Sequence, residues 1–225
     1  MSSIDLDGVT YAISAGRNLL EDITVSFPTG EVTCLSGPSG AGKTTLLSVA
    51  GGLLAPTTGT ATYAGRPTWQ GTGDPRPEVT FVLQVYGLVP VLSALENVSV
   101  ALRARGIAPA ESDQRAAQAL DRFHVLDLAE RQVEELSGGQ RQRVALARAM
   151  APRAEVLLAD EPTSELDEGN ALHVMSELRA LADLGAIVVL ATHDPALARA
   201  CDREYVMDEG RITDVRVWGS RTLTR

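Results

Sequence analysis

Aromatic side chains make up 4% of this 225-residue chain, cysteine occurs twice, and no apolar run approaches the ~18 residues needed to cross a bilayer. Nor does the N-terminus carry a basic segment followed by a hydrophobic one, so the sequence leads us to expect a cytosolic chain whose membrane path lies on another polypeptide. Cys34 and Cys201 lie in or beside apolar stretches without metal-ligand spacing, which argues against a zinc framework and reads as buried, reduced thiols. A net charge of −9 argues against a nucleic-acid-binding surface. There is no internal repeat and no low-complexity tract. With 44% hydrophobic residues the chain has enough apolar surface for a sizeable core, and one domain over 1–225 is expected rather than two.

What is present is concentrated in a few short segments. Residues 37–44, GPSGAGKT, follow an apolar strand-like run (31–35, EVTCL) and precede a helix-like run (44–50) stopped by Gly51 and Gly52. Gly37, Gly40 and Gly42 permit a turn whose backbone N–H groups converge on phosphate oxygens, with the positive end of the following helix behind them. Pro38, Ser39, Ala41 and Thr45 complete this cradle. Lys43 supplies a point charge to the terminal phosphates, and the Thr44 hydroxyl is a ligand for Mg²⁺.

A second buried-strand pattern, residues 156–159 (VLLA), ends in Asp160 and Glu161. Adjacent carboxylates at the end of a buried strand are costly unless a cation or a proton needs them. In the phosphoryl-transfer pattern the first holds Mg²⁺ and the second polarises an attacking water. Residues 136–140, LSGGQ, combine a capping box from Ser137 to Gln140 with two helix-weakening glycines, Gly138 and Gly139. A helix start that leaves backbone N–H groups uncovered suggests an anion approaching closely.

Taken together, these segments resemble the ATP-binding subunit of ABC transporters, and the resemblance runs from about residue 5 to about residue 213. It implies that 37–44 is the Walker A segment and that 156–160 is Walker B, with Glu161 as catalytic base. Residues 136–140 would be the signature that binds ATP held by a partner subunit. It further implies that Gln84, after the strand-like run 79–83, senses Mg²⁺ and water; that residues 164–167 (SELD) form the D-loop; and that His193, after the run 187–191, touches the γ-phosphate. Glu165 departs from the small or polar residue usual in that loop. Tyr11 either stacks on adenine or packs on the sheet. The implied assembly is a head-to-tail homodimer holding two ATP·Mg²⁺, seated on a membrane permease at the cytoplasmic face. The alternative is a soluble ABC ATPase serving nucleic acid, ribosomes or iron–sulfur assembly, but the chain has neither a coiled-coil insertion, zinc cysteines nor a second cassette.

The expected fold is α/β: a P-loop NTPase (RecA-like) core with a mostly parallel sheet. An antiparallel β-subdomain (strands within 4–27 and 60–63, with a turn at 56–59) and an inserted helical subdomain at about 85–140 flank it. Residues 66–77 read as a surface loop and about 214–225 as a C-terminal tail. Within 85–98, Tyr86, Leu88 and Val89 form an apolar stretch that either receives a permease helix or folds back on the helical subdomain. The resemblance favours the first and is strongest to the lipoprotein-releasing, macrolide-efflux and cell-division systems. Since the chain stops soon after Ile212, we expect it to lack the added C-terminal regulatory domain found on many sugar-importer ATPases.

Overall fold

The computed structural model describes residues 2–14 and 16–218. The chain opens with a long antiparallel hairpin, β1 (Ser3–Ser14) and β2 (Arg17–Pro28). The buried β3 (Val32–Ser36) then leads into α1 (Lys43–Ala50). Next come β4 (Thr58–Tyr63), the short β5 (Arg66–Pro67) and β6 (Val79–Val82). Three helices follow: α2 (Ala94–Arg103), α3 (Pro109–Arg122) and α4 (Gly138–Met150). Finally β7 (Val156–Asp160), α5 (Glu168–Asp183), β8 (Ile187–Thr192), α6 (Pro195–Arg199), β9 (Arg203–Asp208) and β10 (Arg211–Val217) complete the described chain.

Two sheets result. The antiparallel one has the order β2-β1-β4-β5, and the other has the order β10-β9-β3-β8-β7-β6, parallel except for β10. The central strands β3, β7 and β8 have no face for solvent, because one side of the sheet is covered by α1 and the antiparallel sheet and the other by the remaining helices. Their side chains divide by the two-residue period of a strand. Val156, Leu158, Ile187, Val189 and Ala191 join Leu46 and Val49 of α1. Leu157, Ala159, Val188 and Leu190 join Val144, Leu146 and Leu178 on the other side.

Helices α2 and α3 pack on each other and on α4 through Leu102, Leu120 and Phe123, all fully buried. The box expected at the start of α2 forms: Glu96 N–H donates to Ser93 Oγ at 3.1 Å, and Ser93 N–H donates to Glu96 Oε2 at 2.8 Å. The expected helical region 85–140 holds α2 and α3, while α4 runs beyond its end to Met150 and returns the chain to the sheet.

Three boundaries differ from expectation. The turn at 56–59 is shorter, because β4 already begins at Thr58, which pairs with Thr10 of β1. Residues 66–77 start as β5, since the turn at Ala64 and Gly65 brings Arg66 opposite Tyr63. Residues 214–217 belong to β10, paired with β9, and 219–225 lie outside the described residues.

The packing makes a direct contrast available. Leu158→Ala should lower the unfolding free energy by about 2–5 kcal/mol, as for a fully buried leucine, whereas Leu184→Ala should change it by less than about 0.5 kcal/mol. Leu158 is 0% and Leu184 86% exposed, and urea unfolding of the two variants checks the difference.

Candidate nucleotide-binding and hydrolysis site

The loops that leave the C-terminal ends of β3, β6 and β7 converge on a cleft of about 280 Å³. It is lined by Leu19, Ser39, Gly40, Gly42, Lys43, Thr44, Thr45, Gln84, Asp160 and Glu161. Open parallel sheets take their ligands at this edge. The loop 37–42 reaches α1 through three left-handed glycines, Gly37 (φ 145°), Gly40 (φ 86°) and Gly42 (φ 100°). The requirement is steric as well as conformational: a Cβ on Gly37 would stand 2.1 Å from the Met207 carbonyl oxygen, and one on Gly42 2.8 Å from that of Leu19. Gly42 is the N-cap of α1 and supplies no capping side chain, and the first helical turn holds no acidic residue. The first N–H groups therefore remain open to an anion.

Lys43 is the only lysine in the sequence. Its ammonium is folded over the loop, donating to the carbonyl oxygens of Gly37 at 2.7 Å and Pro38 at 3.0 Å. Pro38 and the buried Ala41 shape the turn, with Ala41 N–H donating to Pro38 O. Opposite Lys43, Thr44 Oγ1 donates to Asp160 Oδ2 at 2.6 Å. Burial holds the Asp160 carboxyl above the usual carboxylate range, with the Thr44 hydrogen bond opposing it, the Glu161 charge adding to it and Lys43 opposing it. A hydroxyl and a carboxylate placed this close form a hard-oxygen pair of the kind Mg²⁺ takes, so these residues fit the ion.

Glu161 turns away from the strand in the left-handed region (φ 49°), pinned by its N–H donating to Ala191 O at 2.9 Å. Its Oε1 lies 2.8 Å from His193 Nδ1, and its Oε2 accepts from Thr192 Oγ1 at 3.3 Å. Glu161 and His193, separated by 32 residues in sequence, are thus brought into direct contact. Gln84 is exposed at the cleft wall. Tyr11 is not among the cleft residues; it sits half-buried on β1 opposite Leu20, packed against the second core.

Ser137, Gly138, Gly139 and Gln140 stand elsewhere. They line a separate cleft with Arg143, Glu165, Leu166, Asp167 and Asn170, sharing no residue with the first. Their capping box forms, with Ser137 N–H donating to Gln140 Oε1 at 2.9 Å and Gln140 N–H to Ser137 Oγ at 3.3 Å. The apolar stretch after Gln84 differs from expectation. Leu88 packs against the core and Tyr86 is half-buried, because the carbonyls of Tyr86 and Gly87 are drawn onto Arg148 at 2.6 and 2.5 Å. The exposed apolar side chains there are Val85 (81%), Val91 (68%) and Val89 (42%). Sequence reasoning missed Leu19, Gln142 and Arg148. Their partners lie far away in the chain, and nothing local marks them.

This arrangement defines a P-loop nucleoside triphosphatase. A model of the ABC transporter family matches residues 20–164. The chain is 39% identical over 221 residues to the lipoprotein-releasing system ATP-binding protein LolD of Paramagnetospirillum magneticum, with 94% of this chain and 98% of that protein covered. It is 37% identical over 222 residues to the macrolide export ATP-binding/permease protein MacB of Burkholderia pseudomallei, where the match covers 95% of this chain but 34% of that longer protein. Its fold matches the solved ATP-binding cassette MJ0796, dimeric and bound to ADP and Pi, with a TM-score of 0.88 at 30% identity and 97% and 100% of the two chains covered. The chain belongs to the ABC transporter family, as one of its ATP-binding, ATP-hydrolysing subunits.

Because the Gly37 position has neither space nor a permitted backbone for a Cβ, Gly37→Ala should lower stability by about 1–3 kcal/mol. It should also abolish the rise in melting temperature that ATP produces in the unmodified chain. Thermal unfolding with and without ATP measures both effects.

Proposed function

We propose that this chain is the engine of a membrane transport system. Two copies close head to tail on two ATP·Mg²⁺, each nucleotide held between the cradle of one chain and residues 136–140 of the other. The observation that carries this reading is the separation of the two clefts: they share no residue, and each is open in a single chain. A second copy brings the N-terminus of its α4, with Ser137, Gly138, Gly139 and Gln140, to the phosphates held by 37–45. The cassette MJ0796 was solved as a dimer with ADP and Pi, which supports the same assembly here.

Within each site we assign Lys43 and the N–H groups of 37–45 to the β- and γ-phosphates. Thr44 and Asp160 are assigned to Mg²⁺, with Gln84 reaching the ion and the attacking water. When bound, the ion offsets the charge on the phosphate oxygens. Glu161 accepts a hydrogen bond from the water and orients it on the γ-phosphorus, and His193, already bonded to Glu161, lies on the γ-phosphate side. Tyr11, opposite the neighbour of Leu19, is the aromatic ring assigned to adenine. Closure and reopening push on a separate permease through the patch of Val85, Val89 and Val91, which stands just beyond Gln84. Relatives named for lipoprotein release and macrolide export support a membrane partner.

Two experiments test the reading. Glu161→Gln should retain ATP binding while hydrolysis falls at least ~10²-fold, and with ATP·Mg²⁺ it should move from monomer to dimer in light scattering. Adding Ser137→Arg should abolish the dimer, and ADP should not support it. A monomer under all conditions would sink the shared-site model. Separately, Val85→Asp with Val91→Asp should leave ATP affinity unchanged but abolish co-purification with a membrane protein from detergent extracts, because a carboxylate buried in an interface costs several kcal/mol. Undiminished recovery of the membrane protein would remove the patch from the docking role.

A further inference from the structure

Gln142 lies one turn into α4 and is 2% exposed, although its side chain is polar on both ends. Buried amides persist where their donors and acceptors are used. Here both ends leave the helix for one neighbouring segment. Nε2 donates to the carbonyl oxygen of Glu161 at 2.7 Å, with Ser164 Oγ at 3.4 Å, and Oε1 accepts from the Glu165 N–H at 3.0 Å. Ser164 Oγ donates to the same Glu161 carbonyl at 3.2 Å. The peptide that carries Glu161 is therefore gripped by two donors, while Glu161 itself holds a left-handed backbone at φ 49°.

The glycines of the same helix close the seam. A Cβ on Gly139 would stand 2.6 Å from the Glu165 carbonyl oxygen, and one on Gly138 would stand 2.8 Å from Glu165 Oε2. Gly138 and Gly139 thus serve a contact within the chain as well as any anion at the helix start. Segment 164–166 lies flush on the first turn of α4, and Gln142 is the bolt beneath it.

We infer that Gln142 is a positioning residue for hydrolysis: it fixes the backbone of Glu161 from the helix that starts at residues 137–140, and so sets where the Glu161 carboxylate meets the attacking water. This rests on the reading of Glu161 as base given above. A non-glycine residue in the left-handed region keeps that conformation only where its surroundings over-determine it, and the Gln142 amide on the Glu161 carbonyl does so together with the Ala191 carbonyl on the Glu161 N–H. Gln142 does not line the nucleotide cleft, so its loss acts on the chemical step and spares ATP binding.

The test uses the full chain with Gln142→Met, which keeps the volume and removes both hydrogen bonds, and Gln142→Glu, which keeps an acceptor for Glu165 N–H but loses the donor to Glu161. Turnover is expressed per mole of bound fluorescent ATP analogue, so that any unfolded fraction drops out. Gln142→Met should lower kcat about 10- to 10²-fold, the scale of a small misplacement of a reacting group. The dissociation constant of the analogue should stay within about 2-fold in the same variant. Gln142→Glu should lose kcat comparably, and it carries the test alone if the methionine variant does not fold. A kcat within about 2-fold of the unmodified chain in either folded variant overturns the inference, as does a lowered melting temperature with unchanged kcat. Glu161→Gln run in parallel separates the two readings: if it hydrolyses ATP at the unmodified rate, the base assignment itself fails, whereas an inactive Glu161→Gln beside a fully active Gln142→Met refutes the role of Gln142 alone.

Discussion

The parallel register of β3, β8 and β7 is the constraint on which the rest of the molecule depends. Ser36 pairs with Thr192, and Asp160 pairs with Ala191, so the strands end level and their loops open on one edge. A one-residue slip would send Asp160 to the opposite face and take its carboxylate away from Thr44. Burial opposes the slip, because Leu157 and Ala159 keep that opposite face apolar and an unpaired carboxylate there is costly. The apolar packing of the strands is thus what aims the polar groups.

Those polar groups are satisfied within the protein. Lys43, 7% exposed, satisfies its ammonium on the carbonyls of its own loop, and Asp160, 5% exposed, satisfies its carboxylate on Thr44. Burial of Asp160 disfavours its charged form, which is the environment in which a bound cation is most strongly held. On the proposed reading, phosphate and cation would take over these internal contacts at groups already in place.

Helix α4 joins the parts that must act together. Its first turn carries Gly138, Gly139 and Gln140 at the second cleft, its second turn carries Gln142 against Glu161, and its third carries Arg148, which donates to the carbonyls of Tyr86 and Gly87 beside the exposed valine patch. Burial lowers the pKa of Arg148 without threatening its charge, so the fork of donors remains intact. A single helix touching all three regions gives a physical route by which the second cleft, the Glu161 segment and the loop after Gln84 are correlated.

Much of this was legible from local sequence. Glycine spacing in 37–44, the capping boxes at Ser93 and Ser137, and the carboxylate pair ending an apolar run each reflect a rule that operates within a few residues, so the elements and most of the residues that line the two clefts could be named in advance. Contacts that cross the chain were not legible. The bond between Glu161 and His193 depends on β7 and β8 lying side by side, and the burial of Leu88 depends on Arg148 reaching back over sixty residues. The glycines at 138 and 139 read locally as bare helix N–H groups, whereas their second reason, room for Glu165, exists only after α4 and the segment following β7 have packed. The sequence by itself determined which segments turn through glycine, form strands or start helices, because backbone stereochemistry and hydrophobic periodicity are short-range. Only the tertiary structure decided how Glu161 is held, which valines face outward and why the two halves of the nucleotide site stand apart, because those follow from burial and hydrogen-bond partners that the chain acquires on folding.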